Sequence, residues 1–436
     1  MGIRREEIMP GVWLNCIRSD KFKSALLSIN LLAQLDKDTA AMNALIPAVL
    51  SRGTALYPDL EKLSNRMDEL YGVDVVPVVR LVGEIQCFGF VTSFPEAEYL
   101  PVGPSYTTDV IELTAEMLLN PLTRGGLLLK DYVESEKNKL AENIRSIIND
   151  KNSYACRRCI EEMCRFEALS VGQFGSAEDC DGISYKKLSK HYRNVLMSSP
   201  VEIIYVGSSS PESIAASLKD ALVTMPRGEI DYDIGTDVRM NTVEETARYY
   251  EEHLEITQGK LVLGFRLGDW MENPDAAVLS VFNAIYGSGV TSKLFTNVRE
   301  KLHLCYYASS SVNISKGTML VASGIDFENY DAAKEEILFQ LNEIRQGHFS
   351  DEELGWAKAA IRSDLKGIPD SPASLESYWF RKLINGTDIS PEEYAEAVEE
   401  VTAEEVIELA GSIALDLLYF LRNDPDEVTE MEETES

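Results

Sequence analysis

The chain repeats itself. The segment SALLSINLLAQLDKDTAAMNALIPAVLSRGT, Ser24 to Thr54, is matched by KLVLGFRLGDWMENPDAAVLSVFNAIYGSG, Lys260 to Gly289. A helical pattern and a strand pattern follow in both copies, KLSNRMDELYGVDVVPV in one and KLFTNVREKLHLCYYASSS in the other. Later, DYVESEKNKLAENIRSI parallels DEELGWAKAAIRSDLKG. An offset of roughly 220 to 236 residues is too long for a solenoid unit and describes a duplicated domain. The spacing divides the chain into 1–225, a linker with an edge strand at 226–258, a second domain at 259–423, and an acidic tail at 424–436 expected to be disordered.

Within the first copy, Ala25–Leu32, Val73–Leu81 and Glu84–Thr92 carry β-rich or alternating patterns. Helical periodicity runs through Thr39–Leu50, Asp59–Tyr71, Asp109–Leu119 and Asp131–Ile148. Ile203–Val206 reads as a short strand, and Lys260–Leu267 opens the second copy.

Charge narrows the partners. With 72 acidic against 41 basic side chains, the formal net charge is -31. Nucleic acid and anionic membrane surfaces would repel such a chain. Neutral or basic peptides remain compatible. No apolar run approaches the ~18 residues of a membrane span, and MGIRREEIMPGVW lacks a signal-peptide core. Seven scattered cysteines suit reduced thiols and a cytoplasmic location.

The stretch TAAMNALIPAVLSRGT, a helix ending in an apolar run, a basic residue and Gly-Thr, resembles the zinc helix of the insulinase, pitrilysin and mitochondrial-processing-peptidase family. In active members that helix carries His-x-x-Glu-His. Counting back from Thr54 places those positions at Ala44, Pro47 and Ala48, none of which binds zinc or activates water. The third ligand position aligns with Asn143, beside Glu142. The four histidines, His191, His253, His303 and His348, have no partner at metal-binding spacing. Pro47 is expected to kink its helix.

The second copy keeps more of the family pattern. YGSGVTSKLFTNVREKLHLCYY resembles its glycine loop, helix and strand, with Arg299 followed seven residues later by Tyr306. The resemblance implies that this pair hydrogen-bonds substrate peptide and that Gly287 and Gly289 line the substrate chamber. The chemistry is sound, because a guanidinium suits a carbonyl oxygen and a phenol can donate to an oxygen gaining charge. A surface ion pair and a core tyrosine are the plain alternative. The matching Gly287, Gly289, Ser292, Leu294, Phe295 and Glu300 favour binding. Strand alternation sends Tyr306 and Tyr307 to opposite faces, so only one reaches the cavity. Gly287-Ser288-Gly289 lacks the Gly-Lys-Ser/Thr of a phosphate loop.

Cys156, Cys159, Cys164 and Cys180 form the one metal-like cluster, but SYACRRCIEEMCRF reads as a helix with buried thiols. No Ser-His-Asp or Cys-His arrangement can be proposed.

The resemblance implies an α+β, sandwich-like chain of two homologous domains, each a mainly antiparallel sheet with helices packed on one face. It also implies a chain without catalysis of its own: the substrate-binding subunit of a heterodimeric zinc peptidase, with zinc on a paralogous partner or on a second copy. The overall look is nearest the paired bacterial forms. A scaffold with no role in proteolysis is the alternative, and an autonomous peptidase with an unrecognised site is a third. The purified chain is expected to carry no stoichiometric zinc by elemental analysis, while the complex with a zinc-bearing paralogue carries about one per heterodimer. One zinc on the isolated chain would overturn this.

Overall fold

A computed structural model describes residues 2–424; the acidic tail beyond Asp424 lies outside the described residues. The chain forms two compact units, each drawing on both halves of the sequence. Among the described residues, one comprises 2–145, 171–235 and 367–390; the other comprises 146–170, 236–366 and 391–424. The sequence divisions at 225 and 259 follow the duplication, whereas the units exchange a segment across it.

The first unit is built on β1 (Arg4–Met9), β2 (Val12–Arg18), β3 (Ser24–Gln34), β4 (Asp74–Val82) and β5 (Ile85–Pro95). A two-residue ribbon, β6 (Thr123–Arg124) with β7 (Leu127–Leu128), precedes β8 (Val201–Gly207). The sheet runs β1-β2-β8-β3-β5-β4, antiparallel except for β2 with β8. In the second unit, β9 (Arg248–His253), β10 (Gly259–Arg266), β11 (Cys305–Asn313), β12 (Thr318–Ile325) and β13 (Ala414–Arg422) run β11-β12-β10-β13-β9, antiparallel except for β13 with β9. Read from the parallel pair outward, the two orders coincide, and the first unit adds β1. The duplication seen in sequence is thus a duplicated topology. Among the described residues no helix is long and apolar enough to cross a membrane.

Helices gather on one face of each sheet. Leu27, Ile29 and Leu31 of β3 meet Leu45, Val110 and Leu188 from the Ala40–Leu50, Tyr106–Leu119 and Tyr185–Ser198 helices. Leu261, Leu263 and Phe265 of β10 meet Phe282, Ile337 and Leu409 from the Ala276–Tyr286, Tyr330–Arg345 and Ala403–Ser412 helices. The alternation that sends those residues one way sends Leu32 the other, into a smaller core with Leu375, Trp379 and Phe380 of the Pro372–Ile384 helix. In the second unit the Lys151–Met163 helix covers the equivalent face. A side chain at Gly264 would lie 2.7 Å from the Met163 sulfur and 3.2 Å from that of Cys159, so glycine permits the close approach. Each covering helix thus comes from the other half of the sequence, at the same position in the duplication.

A buried ion network fixes the exchanged segment of the second unit. Glu167, just after the Lys151–Met163 helix, receives Arg266 at 2.5 Å and Lys316 at 2.7 Å. Arg266 also reaches Asp416 at 3.0 Å, which pairs with Arg248 at 2.6 Å. Arg266 and Lys316 are almost fully buried. Burial opposes the Glu167 carboxylate, but the Arg266 and Lys316 hydrogen bonds outweigh it and hold the carboxyl below the usual range. Removing one partner leaves a buried charge uncompensated, at about 3–5 kcal/mol. Glu167→Gln is therefore expected to lower the unfolding free energy by about 3 kcal/mol at neutral pH in urea titrations. Because the native pKa is depressed, the wild-type contribution is present above the ordinary value of 4.5 and lost as pH falls through the native value. The difference between wild type and variant should shrink in acid; a gap independent of pH would contradict the assignment.

Candidate functional site

A glycine loop leads into three uncommon backbone devices between Leu294 and Tyr306. First the Ala276–Tyr286 helix ends at Gly287, where a side chain would run into the Ser310 hydroxyl and backbone nitrogen of β11. Gly289 then turns with φ +103°, in the left-handed region that favours glycine. Ser292 accepts from the Phe295 backbone N–H at 3.3 Å and starts the next helix. That helix, Leu294–Lys301, is a π-helix, closed where the Leu302 N–H reaches the Asn297 carbonyl at 3.1 Å. His303 follows with φ +53°, a conformation uncommon for a side chain of that size. Finally the β11–β12 register jumps from Cys305↔Ile325 to Tyr307↔Gly324, leaving Tyr306 as the extra residue of a β-bulge.

These devices surround a cavity of about 470 Å³ lined by Arg299, Glu300, His303, Leu304, Cys305, Tyr306 and Asp326. The Arg299 guanidinium lies 4.7 Å over the Phe295 ring and 3.6 Å from the Glu300 carboxylate. Tyr306 is 60% exposed, and its hydroxyl donates to Asp326 Oδ1 at 3.3 Å. Tyr307 is engaged elsewhere. Its ring covers Gly324, its hydroxyl donates to Asn152 Oδ1 at 2.5 Å, and burial pushes its phenol pKa up. Of the two tyrosines it is therefore Tyr306 that faces the cavity, and the bulge, not simple alternation, separates their roles.

Arg299 and Tyr306 are thus brought together, with Gly287 and Gly289 shaping the loop that leads to them. Asp326 and His303 were not singled out by sequence reasoning. Asp326 joins the site only because the end of β12 lies against the start of β11, a register invisible in one sequence.

The residues aligned by sequence with the family's zinc ligands lie on helices. Ala44, Pro47 and Ala48 belong to the Ala40–Leu50 helix, which runs through Pro47, and Asn143 to the Lys130–Ser146 helix. Two methyl groups and a pyrrolidine ring offer a metal no lone pair, so the residues present do not fit zinc. Among the described residues no group of three or more His, Cys, Asp or Glu is placed to hold a metal ion. Beside Ala44 stands a buried amide chain. Asn43 Nδ2 donates to Gln86 Oε1 at 2.9 Å, and Gln86 Nε2 donates to the Ala40 and Gln173 carbonyls at 3.0 and 2.7 Å. That leaves Asn43 Oδ1 to accept from His191 Nε2 at 2.6 Å. Cys156, Cys159, Cys164 and Cys180, the metal-like group expected from sequence, are accordingly not gathered into a metal site among the described residues, and each is a free cysteine. Burial pushes Cys156 up to about 11 and Cys164 up to about 12, and raises Cys159 and Cys180.

A family profile described as "Peptidase M16 inactive domain" matches residues 182–361. The probable inactive metalloprotease YmfF of Bacillus subtilis (strain 168) is 30% identical over 414 residues, 94% of this chain and 96% of that protein. The chain belongs to the peptidase M16 family. Its fold agrees with that of a conserved protein from Enterococcus faecalis V583, at TM-score 0.87 and 27% identity over 97% of this chain and 99% of that one. An M16 inactive domain from Pseudomonas fluorescens shares the fold at TM-score 0.77 and 17% identity, over 97% of this chain and 98% of that one. Both that family profile and the Bacillus subtilis relative carry the word inactive in their descriptions.

Burial, with Lys187 nearby, pushes His191 down to about 4. Its ring signals in NMR are expected to stay neutral from pH 5 to 8. The stability this neutral ring contributes is present above the ordinary 6.5 and lost as pH falls toward 4. A titration midpoint near 6.5 would refute the buried chain.

Proposed function

We propose that this M16 member is the substrate-binding subunit of a heterodimeric zinc peptidase, acting on peptides in an enclosed chamber with a zinc-bearing paralogue. The observation that carries this reading is an asymmetry. The positions that would hold zinc are Ala44, Pro47 and Ala48, while Arg299 and Tyr306 stand together on an open cavity. A chain with binding groups and no metal ligands needs a partner for hydrolysis. Arg299 supplies permanently charged planar donors for a peptide carbonyl, and Phe295 steadies its guanidinium. The Leu304 and Cys305 side chains give the cavity an apolar wall against which a peptide side chain can rest. Zinc on the partner would polarise the scissile carbonyl and activate water. Unpaired, largely buried cysteines fit a reducing compartment, and we place the complex in the cytoplasm.

The test is partner-dependent cleavage. Arg299→Ala, at a partly exposed site, is expected to lower kcat/KM of the co-expressed pair by about 10²-fold with heterodimer assembly unchanged by size exclusion. Unchanged cleavage with the variant, or no cleavage in any combination, would make the chain a scaffold of the same fold.

A further inference from the structure

Asp326 is an unusual wall for a cavity that contains an arginine. Its carboxylate accepts one hydrogen bond, the 3.3 Å contact from Tyr306, and among the described residues it meets no cation. Arg299, the cavity's one permanent cation, is turned toward Phe295 and Glu300. The lining therefore sets two carboxylates against one guanidinium. Tyr306 has a single hydroxyl proton, and it is directed to Asp326 Oδ1. What the phenol then presents to the cavity is its oxygen lone pairs, the opposite of the donor role its sequence position suggests.

We propose that Asp326 is a specificity-determining residue: with the Tyr306 oxygen it forms an acceptor pair that receives a cationic group of the bound peptide. The group is a lysine or arginine side chain or an amino-terminal ammonium, each a multiple donor suited to two neighbouring oxygens. The net charge of -31 adds a long-range field that draws cationic peptides in, and salt screens it. This inference rests on the reading of the cavity as a peptide site.

Fluorescence anisotropy with the purified full chain tests it, using four short peptides labelled at the carboxyl end. Three are amino-acetylated and carry Lys, Gln or Glu at one position; the fourth has a free amino terminus and Gln. A side-chain cation is indicated if the Lys peptide binds about fivefold tighter than its Gln counterpart, and a terminal one if the free-amino peptide does. Asp326→Asn should bring the favoured peptide to the affinity of the acetylated Gln peptide, and Asp326→Lys should turn the preference to Glu. A wild-type chain that does not discriminate, or an Asp326→Asn chain that still does, overturns the inference. Arg299→Ala separates the two claims. If it weakens all four peptides while Asp326 variants change nothing, the peptide site stands and the specificity role falls. If no peptide binds, or Arg299→Ala binds all as wild type does, both fall.

Discussion

Strands β3 and β10 are buried on both faces, and a sheet centred on such a strand cannot be finished by helices on one side. Leu27, Ile29 and Leu31 leave toward one core while Leu32 leaves toward another. In β10, Leu261, Leu263 and Phe265 do the same, while Arg266 on the opposite face enters an ion network. The second face must exclude water or lose the burial of a whole strand. Each unit meets this need with one helix, and the duplication supplies it from the other half of the chain. The two covers are held differently. Trp379 and Phe380 seal one mainly by apolar packing, with Arg80 and Glu376 paired at its rim at 2.9 Å. The other lies against a bare glycine and is anchored by charges with little access to water. Such a network is a poor source of net stability compared with apolar packing, but its breakage is costly, which makes it a strong specifier of one arrangement.

Duplication also shows how one local design takes two uses. The turn before β4 places Tyr71 at φ +63°, and the matching turn before β11 places His303 at φ +53°. In the first copy the preceding helix, Leu60–Glu69, is an ordinary α-helix capped by Asp59. In the second it is a π-helix, and the following strand is bulged at its start. The extra backbone in the second copy turns Arg299 and Tyr306 onto one cavity. In the first copy the Ala40–Leu50 helix is packed into the core. Ala44 and Pro47 are buried, and the neighbouring Asn43, Gln86 and His191 form one hydrogen-bonded chain.

Much of the fold could be read beforehand. The expected strands at Ala25–Leu32, Val73–Leu81 and Glu84–Thr92 became Ser24–Gln34, Asp74–Val82 and Ile85–Pro95, and the helix expected at Asp131–Ile148 runs Lys130–Ser146. Periodicity is a local property, so it survives in one sequence. The Arg299 and Tyr306 pair was likewise visible as spacing. The bulge was not, because a register shift is a relation between two strands; alternation said that only one of Tyr306 and Tyr307 reaches the cavity, but not which.

By itself the sequence determined the duplication, the α+β class, the family and the absence of ligands at Ala44, Pro47 and Ala48. Each of these depends on which residue types stand at which spacing. Tertiary structure alone decided that the covering helices are exchanged, that Glu167 meets Arg266 and Lys316, and that the Tyr306 hydroxyl donates to Asp326. Those facts join residues far apart in the chain, where burial and hydrogen-bond satisfaction, not local propensity, select the partner.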